Sequence, residues 1–599
     1  MNISSLSTRL VVTAAFLGSV ICVGTACQDP DANAINAHPL EPGADGGGAH
    51  ADGAILDASS DKTTDSPVRA DARPGTDGAV RPSLSGCPSV ASDPDVTQEL
   101  PIATVDTALP SMGGNVVSVR AGANLQAAID AAQPGDTLEL EAGATFDGPV
   151  TLPNKTGNGW IVIRTSTPDA QLATPGTRVS PALAPKMARV VASESVIQVA
   201  KGAHHFRFIG IEVAPAPGTF VYSLVDLGVD TQSEAELAHD LILDRVYLHA
   251  DPAGGRRGIA LNSKSTAIID SYISGFREHG SDSQAICGWT GPGPYRIVNN
   301  YLEAASENIM FGGADPRIPN LVPSDIQICG NHVKKDLAWK GADWNVKNLF
   351  ELKNARRVVV AGNVMEFNWP DGQSGFAVLF TPRNQDGTAA WSTVEDVTFA
   401  YNIVRHSSSG VNIAASDSGD GRGYSSQPSR RLVITNNLFD DIGSSQFGGD
   451  GRAYQFVTGG GGGADIKIDH NTTTTAKSVA LMLGDTGKYG TNFIFTNNVV
   501  ARGEYGVFGS GQGEGTQALD FFLASYTMTK NVFFGTTMSA SYPAGNFVPA
   551  TSTDVAFVNA AAGQFDLGPT SKYLAAGTDG KDLGADISAL TAATNGAVP

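Results

Sequence analysis

The chain has 599 residues and a formal net charge of −20, from 40 Lys and Arg against 60 Asp and Glu. A surface that acidic repels phosphate backbones, which excludes a general nucleic-acid binder. Sixty-nine glycines, with only 7% aromatic and 17% charged residues, describe a turn-rich β protein, because glycine supplies the positive φ angles of tight turns.

Residues 1–27 read as an export signal. Arg9 gives the positive start, and residues 10–23 form an apolar stretch too short to span a bilayer comfortably. Gly24-Thr25-Ala26 then precede Cys27, an arrangement that resembles a bacterial lipobox, with Gly24 where leucine is usual. Cys27 is therefore the expected lipidation site, with ordinary signal cleavage as the alternative. Residues 28–86 are rich in Asp, Ala, Gly, Pro and Ser and nearly devoid of large apolar side chains. Such a segment cannot bury a core and reads as a flexible acidic spacer.

Residues 87–599 read as one repeat array. Apolar residues at 125, 128, 129 and 132 predict a single amphipathic helix over 124–132. Pro134-Gly135-Asp136 ends it, and Thr137-Leu138-Glu139-Leu140 alternates as a strand. Helical periodicity is then nearly absent. Apolar or β-branched residues, an Asn and two more apolar residues recur, as in Ile297-Val298-Asn299-Asn300-Tyr301-Leu302 and Ile434-Thr435-Asn436-Asn437-Leu438-Phe439. Copies end at Asn300, Asn331, Asn363, Asn402, Asn437, Asn471, Asn498 and Asn531, in steps of 27 to 39 residues. A second strand follows each Asn, for example Asn308-Ile309-Met310-Phe311 and Ala377-Val378-Leu379-Phe380. A fixed core pattern with variable step length suits a β-helix. A propeller needs four strands in each longer repeat. Inward Asn side chains at one corner can then bond from coil to coil.

The capping helix, the PGDTLEL entry at 134–140 and the Asn coils together resemble the right-handed parallel β-helix, or pectin-lyase-like, superfamily over roughly residues 115–570. That resemblance implies an all-β solenoid with an N-terminal capping helix. The superfamily holds lyases, hydrolases, epimerases and adhesins, so fold alone does not choose among them.

Adjacent coils lie about 4.8 Å apart, so residues some thirty positions apart can be side-by-side partners. Residues 331–406 carry nine Lys or Arg and eight Asp or Glu, a local charge of +1 in an acidic domain. Strand alternation puts Glu351 and Lys353 on one face, and Arg383 falls at nearly the same position of the next coil. This constellation resembles the Lys/Arg pair and nearby acidic calcium ligands of the chondroitinase B and alginate lyase family. The resemblance implies Lys353 as base, Arg383 as its partner and Glu351 as a metal ligand, with calcium as the cofactor. The family's fuller acidic cluster before the lysine is not evident here. A plain surface ion-pair ladder is the alternative for the three.

Glu307 and Asp315 are further candidate calcium ligands, against simple turn roles. Trp339 and Trp344 could stack on sugar rings, and Arg405 and His406 could reach a groove edge. Asp440-Asp441 suggests the carboxylate pair of a hydrolase, without the motifs that would complete it. Cys287 and Cys329 could pair in an oxidising exterior. The expectation is an exported, lipid-anchored cell-envelope protein. It would act as a monomer on acidic polysaccharide, cleaving by β-elimination. A non-catalytic glycan-binding or adhesive protein, and a hydrolase with paired carboxylates, are the alternatives.

Overall fold

The computed structural model describes residues 86–598, apart from 112, 229–230, 418–421, 458–460, 485–489 and 536–540. The expected signal segment, Cys27 and all of the acidic spacer but Gly86 lie outside the described residues.

Three parallel sheets of 14, 12 and 13 strands run the length of the domain. Each coil gives one strand to each sheet. Ser324–Cys329, His332–Lys334 and Phe350–Leu352 make one coil, and Ala355–Ala361, Val364–Asn368 and Phe376–Phe380 make the next. Corresponding strands pair in register, such as Ile326 with Val358, Val333 with Met365, and Phe350 with Val378. The same residues point inward and join one continuous apolar core. The protein is thus a parallel β-helix, as its alternating strands and Asn turns predict.

The helix Leu125–Ala131 closes one end of that core. Asn124 caps it by accepting from the Ala127 N–H, and Leu125 and Ile129 are buried against the sheets. A second helix, Thr516–Phe522, sends Ala518, Leu519 and Phe522 into the core near the other end. Two more helices occur at Asp169–Leu172 and Ile587–Thr594. None of these three was expected from the sequence.

The Asn corner forms as a ladder. The Asn300 N–H and Nδ2 both donate to Asn331 Oδ1, at 2.8 and 3.0 Å, and the Asn331 Nδ2 donates to Ile297 O on the preceding coil at 2.9 Å. The pattern repeats through Asn363, Asn402, Asn437, Asn471, Asn498 and Asn531. The residue before each ladder Asn is left-handed, among them Asn299, Tyr401, Asn436 and Asn497. That conformation favours Asn or Gly and accounts for the recurrent Asn-Asn.

Residues 87–111 are not part of the coils. They lie across the outer face of the 14-stranded sheet as a strap. Lys467 Nζ holds Asp93 and Asp95 at 2.8 Å, while Arg207 Nη1 donates to Thr107 O and Ala108 O. Val96, Leu100 and Val105 fill apolar gaps along the way. Cys87 at its start forms a disulfide with Cys329. This corrects the expected Cys287–Cys329 pairing: Cys287 is a buried free thiol packed with Ala260, Trp289 and Met310. The other chain end also folds back. Leu590 packs on Leu438 and Phe565, and Ala597 O accepts from Arg178 Nη1 at 2.9 Å.

Candidate functional site

In Phe350–Leu352 the two flanking residues enter the core, so Glu351 faces outward, and Lys353 follows on the same side. Lys353 Nζ stands 3.7 Å from Glu351 Oε1. The register pairs Leu352 with Phe380, so Thr381, rather than Arg383, comes opposite Lys353. Thr381 Oγ1 donates to Glu351 Oε1 at 3.0 Å. Arg383 lies just beyond. Its amide N–H donates to Lys353 O at 2.9 Å, and its guanidinium pairs with Asp417 at 3.0 Å. Two cations on consecutive coils are each held by a carboxylate.

The same outward face extends toward the N-terminal coils, where sequence reasoning named only Glu307. Arg257, Gln284 and Glu307 stand in register on three successive coils. Arg257 Nε donates to Gln284 Oε1, and Gln284 Nε2 donates to Glu307 Oε2, both at 2.8 Å. Lys347 lies 3.6 Å from Glu307 and also pairs with Asp282. Asn348 Nδ2 donates to Glu351 Oε2 at 3.2 Å and completes the file of polar groups. Arg257, Gln284 and Lys347 fall on different coils with no shared motif. Only the strand register brings them together.

This file is electrostatically tight. Burial, with the Asp282 carboxylate beside it, raises the Glu307 carboxyl above its usual range, and Lys347 opposes the shift. Burial pulls the Lys347 ammonium down, but Glu307 and Asp282 outweigh it and leave it raised. Beneath the file, Lys335 is fully buried. Its Nζ is surrounded by the Ala304, Ala305, Ser306 and Asn348 carbonyl oxygens and by Asn308 Oδ1, at 2.6 to 3.3 Å, and its three N–H groups are shared among them. Burial pushes this ammonium down to about 7. Lys335 ties together the segments that present Glu307 and Glu351.

The other candidates lie apart or are otherwise engaged. Glu307 and Asp315 do not converge as a pair of calcium ligands. Glu307 is held by Gln284 and Lys347, while Asp315 accepts from the Thr388 N–H and hydroxyl at 2.8 and 2.9 Å and clasps two loops. Trp339 is buried with Ala305, Val346, Trp369 and Phe447, so its ring is taken up by packing. Trp344 stacks on His279 at 3.8 Å and lies under the Arg277 guanidinium. Arg405 and His406 belong to the 13-stranded sheet, a different face from Lys353. Arg405 pairs with Glu366 at 2.7 Å and His406 with Asp441 at 2.8 Å. The strand path carries them away from the groove edge expected for them. A cleft of about 950 Å³ opens elsewhere, lined by Arg178, Arg207, Asp244, Asp270 and Arg296 beside the strap. It does not include the Lys353 face.

No family model matches the sequence, and no curated protein matches it. Among solved structures the chain is similar to the catalytic unit of a thermostable GH87 alpha-1,3-glucanase from Streptomyces thermodiastaticus strain HF3-3. That match has 13% identity, covers 74% of this chain and 72% of that one, and has a TM-score of 0.46. A PL6 family alginate lyase matches at 11% identity over 72% of this chain, with a TM-score of 0.42. The match spans about half, 53%, of that lyase. A pectate lyase matches at 15% identity over 79% of this chain and 97% of that one, with a TM-score of 0.25. At these identities and scores the matches decide neither substrate nor chemistry.

Proposed function

We propose that the protein acts on acidic polysaccharide and cleaves it by β-elimination at the Lys353 face. The observation that supports this reading is the closeness of Lys353 and Arg383 on consecutive coils, where the Arg383 main-chain N–H donates to Lys353 O at 2.9 Å. Elimination from a uronate needs a base for the proton beside the carboxyl group and a cation that neutralises the carboxylate as charge builds on it. Lys353 fills the first role. Arg383 fills the second by exchanging Asp417 for the substrate carboxylate. Glu351, with Thr381 and Asn348 on its oxygens, positions the Lys353 amine. Calcium, if it takes part, would be held by Glu351 together with substrate oxygens.

The test is ultraviolet absorbance of unsaturated uronates. The purified protein is incubated with a panel of acidic polysaccharides, with and without calcium. The expected result is product from at least one polymer, lost by 10²-fold or more in Lys353→Ala. Release of reducing ends without that absorbance would overturn elimination.

A second reading is favoured by one observation. Glu307 is a buried carboxyl raised by its surroundings, and the Glu351 charge contributes to the rise. An acid of that kind beside a carboxylate is the equipment of a glycoside hydrolase. Reducing ends that disappear in Glu307→Gln would support it.

The same proposal places the protein outside the cytosol, anchored through Cys27 or secreted. The Cys87–Cys329 bond supports this, because structural disulfides persist in oxidising compartments.

A further inference from the structure

Where nine of the coils enter the 14-stranded sheet, one non-glycine residue is left-handed. His205, Asp240, Ser265, Asp325, Arg357, Asp396, Arg431, Asp465 and Asn492 occupy this corner, with φ between 50 and 60°. Their side chains meet from coil to coil. At the later coils they satisfy one another: Arg357 pairs with Asp325 at 2.8 Å, Arg431 with Asp396, and Asn492 donates to Asp465 at 2.7 Å. The first two coils differ, because there the partner of the carboxylate is imidazole rather than guanidinium or amide.

His204 and His239 are register partners on these two coils. Their rings stack at 4.9 Å with a 9° interplanar angle. His205 and Asp240 are the next residues along. His204 Nδ1 lies 2.8 Å from His205 Nδ1, and His239 Nδ1 lies 2.7 Å from Asp240 Oδ2. Three of the protein's ten histidines thus meet at one point. Donor atoms of His205, His239 and Asp240 all lie within 4.8 Å of one another, the one such group among the described residues. Around a tetrahedral ion with bonds of about 2.0–2.1 Å, donor atoms stand about 3.3 Å apart. Small side-chain rotations would close the group to that spacing.

The surroundings fix the donors. Ser265 Oγ, one coil further on, donates to the other Asp240 oxygen at 2.7 Å. Outer hydrogen bonds of this kind orient a ligating carboxylate. The Trp160 ring sits edge-on to His205 at 5.2 Å and limits its rotation.

We propose that His205, His239 and Asp240 form a binding site for a divalent transition metal of the zinc class, with His204 packed beside it. Two imidazole nitrogens and one carboxylate oxygen suit zinc, cobalt, nickel or copper. Calcium demands six to eight oxygens and is excluded by the same donors. Three protein ligands leave a coordination position open for water or a ligand oxygen. The site lies on coils that precede the Lys353 face and does not depend on what that face does.

The test uses the tag-free full-length chain, freed of metal by chelation, with Zn²⁺ followed by calorimetry and Co²⁺ by visible absorbance. One equivalent is expected per chain, with Co²⁺ bands of low-symmetry four- or five-coordination and no competition from Ca²⁺. His205→Ala and His239→Ala should each weaken binding by at least about tenfold. Asp240→Asn, nearly isosteric, should weaken it while leaving the metal-free melting curve unchanged. Zn²⁺ binding of equal affinity in the wild type and the His205→Ala/His239→Ala double variant would overturn the proposal, because the ligands would then lie elsewhere in the chain. Absence of binding to the wild type would overturn it as well.

Discussion

Asn363 shows how much one side chain carries in this molecule. Its Oδ1 accepts from the Asn331 N–H and Nδ2 at 2.9 Å, and its own Nδ2 donates to Ile328 O and to Asn402 Oδ1 at 2.9 Å. All of these groups are buried, so Asn363→Ala strands several at once. Each buried group left without a partner costs about 1–3 kcal/mol, and chemical denaturation should register a loss of at least that size. A second residue, Glu366, makes stability depend on pH. Burial alone would raise its carboxyl, but hydrogen bonds from His332 and Arg405 outweigh that and hold it down to about 2. Below its ordinary value of 4.5, the unfolded chain takes up a proton there before the folded one does. The stabilisation is therefore full above that value and lost as pH falls toward 2. It amounts to on the order of 3 kcal/mol. Acid titration of the melting midpoint should show a shallower fall in Glu366→Gln. The Asn ladder was legible in the sequence because one residue type recurs at one corner. The His205–Asp240 corner was not, because its position changes from His to Asp to Ser to Arg along the chain, and spacing alone does not mark it.

Among the elements, the strap over 87–111 left no signal in the sequence. It has no period, since its three apolar anchors, Val96, Leu100 and Val105, sit against coils far along the chain. Its extended length is nevertheless consistent with its job. From Asp95 at the Lys467 coil to Thr107 at the Arg207 coil, about 12 residues at roughly 3.4 Å each reach about 40 Å, enough to cross the eight coil spacings between those strands. The disulfide fastens its beginning to Cys329, 242 residues on. A link closing so long a loop contributes about 2–5 kcal/mol, chiefly through the unfolded chain. Cys87→Ser should lower the thermal midpoint accordingly, and the difference should vanish when both proteins are melted under reducing conditions. Strand alternation did place Glu351 and Lys353 on one face. The extra step that carries Arg383 past Lys353 was beyond it, because a two-residue shift in a loop leaves no trace in composition.

For the molecule as a whole, the solenoid architecture was readable from its repeat, and its closure was not. Fourteen strands at about 4.8 Å give a rod some 60 Å long, in which each coil touches only its neighbours. The two folded-back chain ends add contacts that skip coils: Gln98 to Thr398, Ile102 to Asp325, and Arg178 to the carbonyl of Ala597. These ties bind distant coils into one unit. They also settle how the rod bears tension. A pull on any part of the chain before Cys87 reaches the rod through a covalent bond at Cys329, on the eighth of the fourteen strands. The force therefore enters near the waist rather than at the tip. The first coils are spared, the His205–Asp240 corner among them, so a molecule hauled by its leading end would swing about its middle instead of unravelling from its start.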